Sequence, residues 1–133
     1  MSLEKVIFGF FVLLAATLNL GFFIGDISRP ELHNEYELFA AVLINLIATA
    51  LKFGDRTHVG AVHLATSLVA DLQLIAATSV WVYASQISSE GLTAGATATV
   101  VSLSAGALLA NLVSVGLLVI ETVSSYGSWR DDS

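Results

Sequence analysis

Cysteine is absent from this 133-residue sequence, proline occurs once, and only 12% of residues are charged, against about 25% in an ordinary soluble domain. Without cysteine there is no disulfide framework, no thiolate nucleophile and no thiolate-bound zinc or iron–sulfur cluster. Five Lys and Arg residues against eleven Asp and Glu, a formal net charge of −6, leave no basic cluster for a phosphate backbone, so no nucleic-acid partner is expected. No Ser/His/acid arrangement is legible either, and the sequence asks for neither an enzyme mechanism nor a cofactor. With 56% hydrophobic residues, the composition is that of bilayer helices rather than a disordered chain.

Apolar stretches lie at 6–24, 38–53, 59–82 and 97–120, and crossing the hydrocarbon core takes about 20 mostly apolar residues. One domain over residues 1–133 is therefore predicted, all-α and polytopic, with four transmembrane helices at about 6–24, 29–53, 58–85 and 95–121. The first stretch is expected to be retained, because no small-residue cleavage site follows Phe22-Phe23-Ile24. Ser28-Arg29-Pro30-Glu31 has the form of a capping box with proline in the first turn, which predicts a second helix starting near Arg29. Gly54 is placed to stop that helix, and Asp55 or Thr57 to cap the next. The segment after Glu121 reads as a solvated end.

Positive charge stays on the cytoplasmic side of short connections. Lys5, Lys52, Arg56 and Arg130 fall on one side of the predicted spans, and Arg29 alone, amid acidic residues, on the other. Both termini are thus expected in the cytoplasm, the protein being multi-pass in its membrane. Tyr36, Trp81 and Tyr83 then sit at the outer interface and Tyr126 and Trp129 at the inner one, where amphipathic rings are favoured.

Each span carries one strongly polar residue followed by leucine: Asn19, Asn45, Asp71 and Asn111. Intramembrane asparagines commonly join helices. Asp71 differs, since an ionised carboxylate at the bilayer centre costs about 2.5–3.5 kcal/mol and nothing basic is expected at its depth. His63, Ser67 and Asp71 recur every four residues, so a polar stripe on one helix face leads toward mid-membrane. With Asn45 and Asn111 this stripe is the expected route for protons or monovalent cations; hydrogen bonding of a neutral Asp71 to an asparagine is the alternative.

Ala98, Ser102, Gly106, Ala110 and Ser114 form a ladder of small residues at four-residue spacing, a pattern that lets helices approach closely. Because four helices can hardly enclose an aqueous route, a symmetric homo-oligomer in membrane lipid is expected, packed through this ladder. Beside it, Thr97, Ser104 and Asn111 mark a second, weakly polar face. In the acidic segment, a helix would pair Glu31 with Glu35 and His33 with Glu37, weak candidates for a divalent cation, though no metal is called for by a fixed ligand motif.

The runs Leu3-Glu4-Lys5-Val6-Ile7-Phe8-Gly9-Phe10-Phe11, Leu51-Lys52-Phe53-Gly54-Asp55-Arg56 and 66–76, Thr66 through Asp71 to Ala76, resemble a family of small four-helix bacterial inner-membrane proteins with no established activity. The likeness covers the first three spans best and implies size and topology only. Function is therefore expected to be conduction of a cation or proton by a homo-oligomer, or else the role of a non-catalytic accessory or scaffold subunit that uses Asp71 as a polar lock.

Overall fold

The computed structural model describes the backbone of residues 3–132 and the side chains of residues 3–124; Tyr126, Trp129 and Arg130 fall outside the described side chains. Its elements are α1 (Leu3–Phe23), a 3-10 turn (Pro30–Leu32), α2 (Glu35–Lys52), α3 (His58–Val82) continuing as a π turn (Tyr83–Ile87), and α4 (Ala94–Asp132). Leu3–Phe23, His58–Ile87 and Ala94–Ser124 are long and apolar enough to cross a membrane. The 18-residue α2 carries Glu35, Glu37 and Lys52 near its ends, and its uncharged centre, 38–51, is about 21 Å long at 1.5 Å per residue.

Two boundaries differ from the sequence reading. The second helix begins at Glu35, not near Arg29. Both side chains of the expected capping box are engaged elsewhere: the Ser28 hydroxyl donates to Asp26 Oδ1 at 2.9 Å, and Glu31 accepts from Arg29 at 2.8 Å. Pro30 starts only a single 3-10 turn, which the extended backbone of His33 ends. Asn34 is the true cap, its side chain accepting from the Tyr36 amide at 2.9 Å. The second difference is at the far end, where α4 runs on through Asp132 instead of stopping at Glu121. Its 39 residues measure about 58 Å, well beyond a hydrocarbon core of about 30 Å. Between α2 and α3 the cap is Thr57, whose hydroxyl accepts from Gly60 N–H at 2.9 Å, while Asp55 folds onto Thr57.

Each helix packs against the next in sequence, and α4 closes the ring against α1, giving an up-down-up-down bundle. One end of it carries Lys5, Lys52, Arg56 and Glu121. At the other, Phe22 meets Trp81 edge-on at 5.5 Å and the Trp81 indole donates to Glu35 at 3.0 Å. Lipid-sized residues such as Phe10, Leu43, Leu72 and Leu109 point outward, while the buried interior is unusually rich in polar groups for a bundle of this kind.

Candidate functional site: a polar stripe inside the bundle

The inward face of α3 changes character half-way. Its buried residues are first Gly60, His63, Ser67, Ala70 and Asp71, then Leu74, Ala77 and Trp81, so the mostly polar half opens toward the basic end and the apolar half fills the other. Asp71 is 6% exposed. Its carboxylate accepts from Asn45 Nδ2 at 2.6 Å and from the Thr49 hydroxyl at 2.5 Å, both presented by successive turns of α2. The same Asn45 amide reaches the Ser67 carbonyl at 3.3 Å. Thr49 was not singled out by the sequence, yet the signal was there: it stands four residues after Asn45, on one helix face.

Nearer the basic end, His63 lies between two helices. Nδ1 is 2.5 Å from Ser114 Oγ and Nε2 is 2.7 Å from Glu121 Oε1; the other Glu121 oxygen meets Lys5 at 3.3 Å. Phe8 packs against the imidazole at 5.0 Å. Lys52 does not reach inward to Asp71; its ammonium lies 3.4 Å from Asp55 and 4.5 Å from the centre of the Phe8 ring. Glu121, 58 residues from His63 in the chain, had no local pattern to betray it. A cavity of about 340 Å³ reaches this cluster, lined in part by Lys5, Lys52, Asp55, His63 and Glu121.

Several interior polar atoms have no protein partner among the described residues: Asn45 Oδ1, Ser67 Oγ, and both amide atoms of Asn111. Asn19 is satisfied once its amide is oriented by its neighbours: with N and O assigned accordingly, it donates to the Ser104 carbonyl and accepts from the Leu108 amide, each at 3.0 Å, across one turn of α4. The Thr97, Ser104 and Asn111 face of α4 is completely buried. It lines the interior together with the α3 stripe, and it does not face lipid.

The small-residue ladder divides in two. The position a Gly106 Cβ would occupy is filled by the side-chain amide of Gln73 from α3, Ala110 is buried, and buried Ser114 touches His63. These three rungs pack within the chain. Ser102 is exposed and Ala98 is half-buried, and both border a shallow groove beside Gln73.

The acidic segment does not form the pairs expected of one helix, because Glu31 and His33 precede the start of α2. The His33 ring nitrogens lie 2.6 Å from the Phe22 carbonyl and 2.8 Å from the Asp26 carbonyl, tying the connection to the end of α1. Glu31 pairs with Arg29, Glu35 holds the Trp81 indole, and the Glu37 carboxylate packs against Gly21. No group of three metal-ligating side chains occurs among the described residues. At the start of this connection the Ser28 amide and hydroxyl hold the Asp26 carboxyl below its usual value.

Residues 32–122 match the profile of DUF6394, a family of unknown function. The chain belongs to this family. The DUF6394 match takes in α2, α3 and the greater part of α4, and with them Asn45, Thr49, His63, Ser67, Asp71, Asn111, Ser114 and Glu121. It omits α1, whereas the sequence resemblance was best over the first three spans. No curated protein and no solved structure matches the chain.

Proposed function

We propose that this DUF6394 protein is a cation or proton pathway of the bacterial inner membrane, with Asp71 as its ion-exchanging group. The observation that carries the reading is the pair of interior atoms without protein partners beside Asp71, Asn45 Oδ1 and Ser67 Oγ, with the unpartnered Asn111 amide on the buried face of α4. Inside a membrane bundle such atoms are costly unless hydrated or bound to an ion. Water or a partly hydrated cation supplies what the protein does not. His63 and Glu121 form the approach from the basic end, and Asn111, Ser104 and Thr97 continue the polar surface along α4. Phe22, Leu74 and Trp81 occlude the far end, so conduction requires these side chains to part. The accessory-subunit reading draws less support, because an Asp71 covered by α2 is not available as a lock for another protein.

The basic end is assigned to the cytoplasm by its Lys and Arg residues, which puts both termini there, and Ala98 and Ser102 are the ladder residues left for contact with a second copy in a homo-oligomer. Cysteines introduced at Asp55 and Glu90 read the orientation: an impermeant thiol reagent added outside cells is expected to label position 90 and spare position 55, and the reverse pattern inverts the assignment. Conduction itself is measured with purified protein in liposomes carrying K⁺, Na⁺ or H⁺ gradients. Protein-dependent flux of one of these ions is the expected result; no flux of any of the three removes the pathway reading and leaves the accessory role.

A further inference from the structure

A second cavity, of about 570 Å³, lies at the basic end between the start of α1 and the α2–α3 connection. Three of the chain's five Lys and Arg residues, Lys5, Lys52 and Arg56, line it. Two carboxylates, Glu4 and Asp55, share the wall, and Lys5 also pairs with Glu121, so the fixed charges nearly balance and the cavity is set apart by how Lys52 and Arg56 are used.

Lys52 is 7% exposed, which is costly for an ammonium unless its donors are used. Among the described residues its contacts are one Asp55 oxygen at 3.4 Å and the face of Phe8, and an ammonium with three N–H groups has further donors to offer. Asp55 is a shared partner: its other oxygen accepts the Thr57 amide at 2.9 Å and hydroxyl at 2.7 Å. These bonds, the hydroxyl foremost, keep the carboxyl below its ordinary value and therefore charged. Arg56 is exposed and makes no hydrogen bond or ion pair among the described residues. Gly54 and Thr57 complete the polar side, and Ile7, Phe8 and Leu51 form an apolar one; Ile7 and Leu51 continue onto the outer face of the bundle.

We infer that this cavity binds the phosphodiester headgroup of an anionic phospholipid, with Lys52 and Arg56 on the phosphate and an acyl chain along Ile7 and Leu51. The spare donors of Lys52 and Arg56 suit phosphodiester oxygens, and the position, at helix ends where a basic pocket meets an apolar surface, is that of a headgroup. A soluble phosphate ester shares the polar half of this chemistry but has no use for the apolar wall. The inference stands independently of ion conduction.

The test is native mass spectrometry of the full-length protein in detergent, titrated with phosphatidylglycerol or phosphatidylcholine. Phosphatidylglycerol is expected to bind about tenfold more tightly than phosphatidylcholine. Lys52→Gln and Arg56→Gln are each expected to weaken it about fivefold, the effect of one cation near a charged headgroup. Arg29→Gln, at the opposite end, should leave binding unchanged. Arg56 is exposed and has no partner to lose among the described residues, so its variant reports on binding even if Lys52→Gln fails to fold. Equal binding of the two lipids, or phosphatidylglycerol binding unaltered by Arg56→Gln, overturns the inference. Displacement of the lipid by millimolar glycerol phosphate overturns the lipid assignment in favour of a soluble phosphate ester.

Discussion

Asp71→Asn is expected to lower ion flux in liposomes by about tenfold or more, equivalent to losing at least about 1.4 kcal/mol of interaction with the passing ion, while the protein still folds. The expectation of folding follows from the geometry around the carboxylate. Asn45 and Thr49 both donate to Asp71, and an asparagine at 71 offers one acceptor where the carboxylate offered two. Asn45 Oδ1 has no protein partner, so turning the Asn45 amide over, at the loss of its longer 3.3 Å bond to the Ser67 carbonyl, lets it accept from the new side-chain NH₂ while the substituted carbonyl still receives Thr49. Asp71→Leu has no such remedy. Thr49 can then donate to the Asn45 backbone carbonyl at 3.0 Å and Asn45 keeps its bond to the Ser67 carbonyl, but one Asn45 N–H is left unmatched, at about 1–3 kcal/mol, and the variant is expected to lose thermal stability as well as flux. Wild-type flux that survives Asp71→Asn unchanged moves the route away from this carboxylate, to the Thr97, Ser104 and Asn111 face of α4.

Gly106→Leu is expected to destabilise the isolated protomer, by about 1–3 kcal/mol as for overpacking of a close helix contact. The amide of Gln73 occupies the space a side chain at 106 would need. Gln73 is flexible enough to yield to a methyl group, so Gly106→Ala is expected to be mild; a leucine must push α3 and α4 apart. Melting in detergent compares the two variants. Ser102→Leu, at an exposed rung, is expected to leave melting nearly unchanged and to shift the species seen by cross-linking toward smaller assemblies. A normal melting temperature for Gly106→Leu would mean that α3 and α4 are not held by this contact.

The sequence marked His63, Ser67 and Asp71 as one stripe because helical periodicity is local: residues four apart share a face whatever else the chain does. It also marked Asn45 and Asn111 as polar groups that lipid would not accept. Periodicity says which residues lie on a face, but not what faces them. Glu121 as the partner of His63, and Gln73 as the neighbour of Gly106, depend on α3 and α4 lying side by side in a particular register. The start of α2 was misread for a related reason. Ser28 and Glu31 have the spacing of a capping box, but the competing bonds to Asp26 and Arg29 are equally local, and spacing alone does not rank them.

What the sequence determined by itself was the class of the protein: an all-α chain of four apolar helical segments, one carboxylate on a polar stripe, and positive charge gathered toward one end; it read all four segments as spans, where the structure has three helices long and apolar enough. These follow from composition and from spacing within single helices, where each residue's environment is set by its neighbours in the chain. Only the tertiary structure decided that the stripe turns inward, that Asn45 and Thr49 of α2 hold Asp71, and that three rungs of the ladder are used within the chain. Contacts between helices bring together residues far apart in sequence, Thr49 with Asp71 and His63 with Glu121. Their pairing depends on how side chains of unequal size interlock along whole helix faces, which no window of sequence contains.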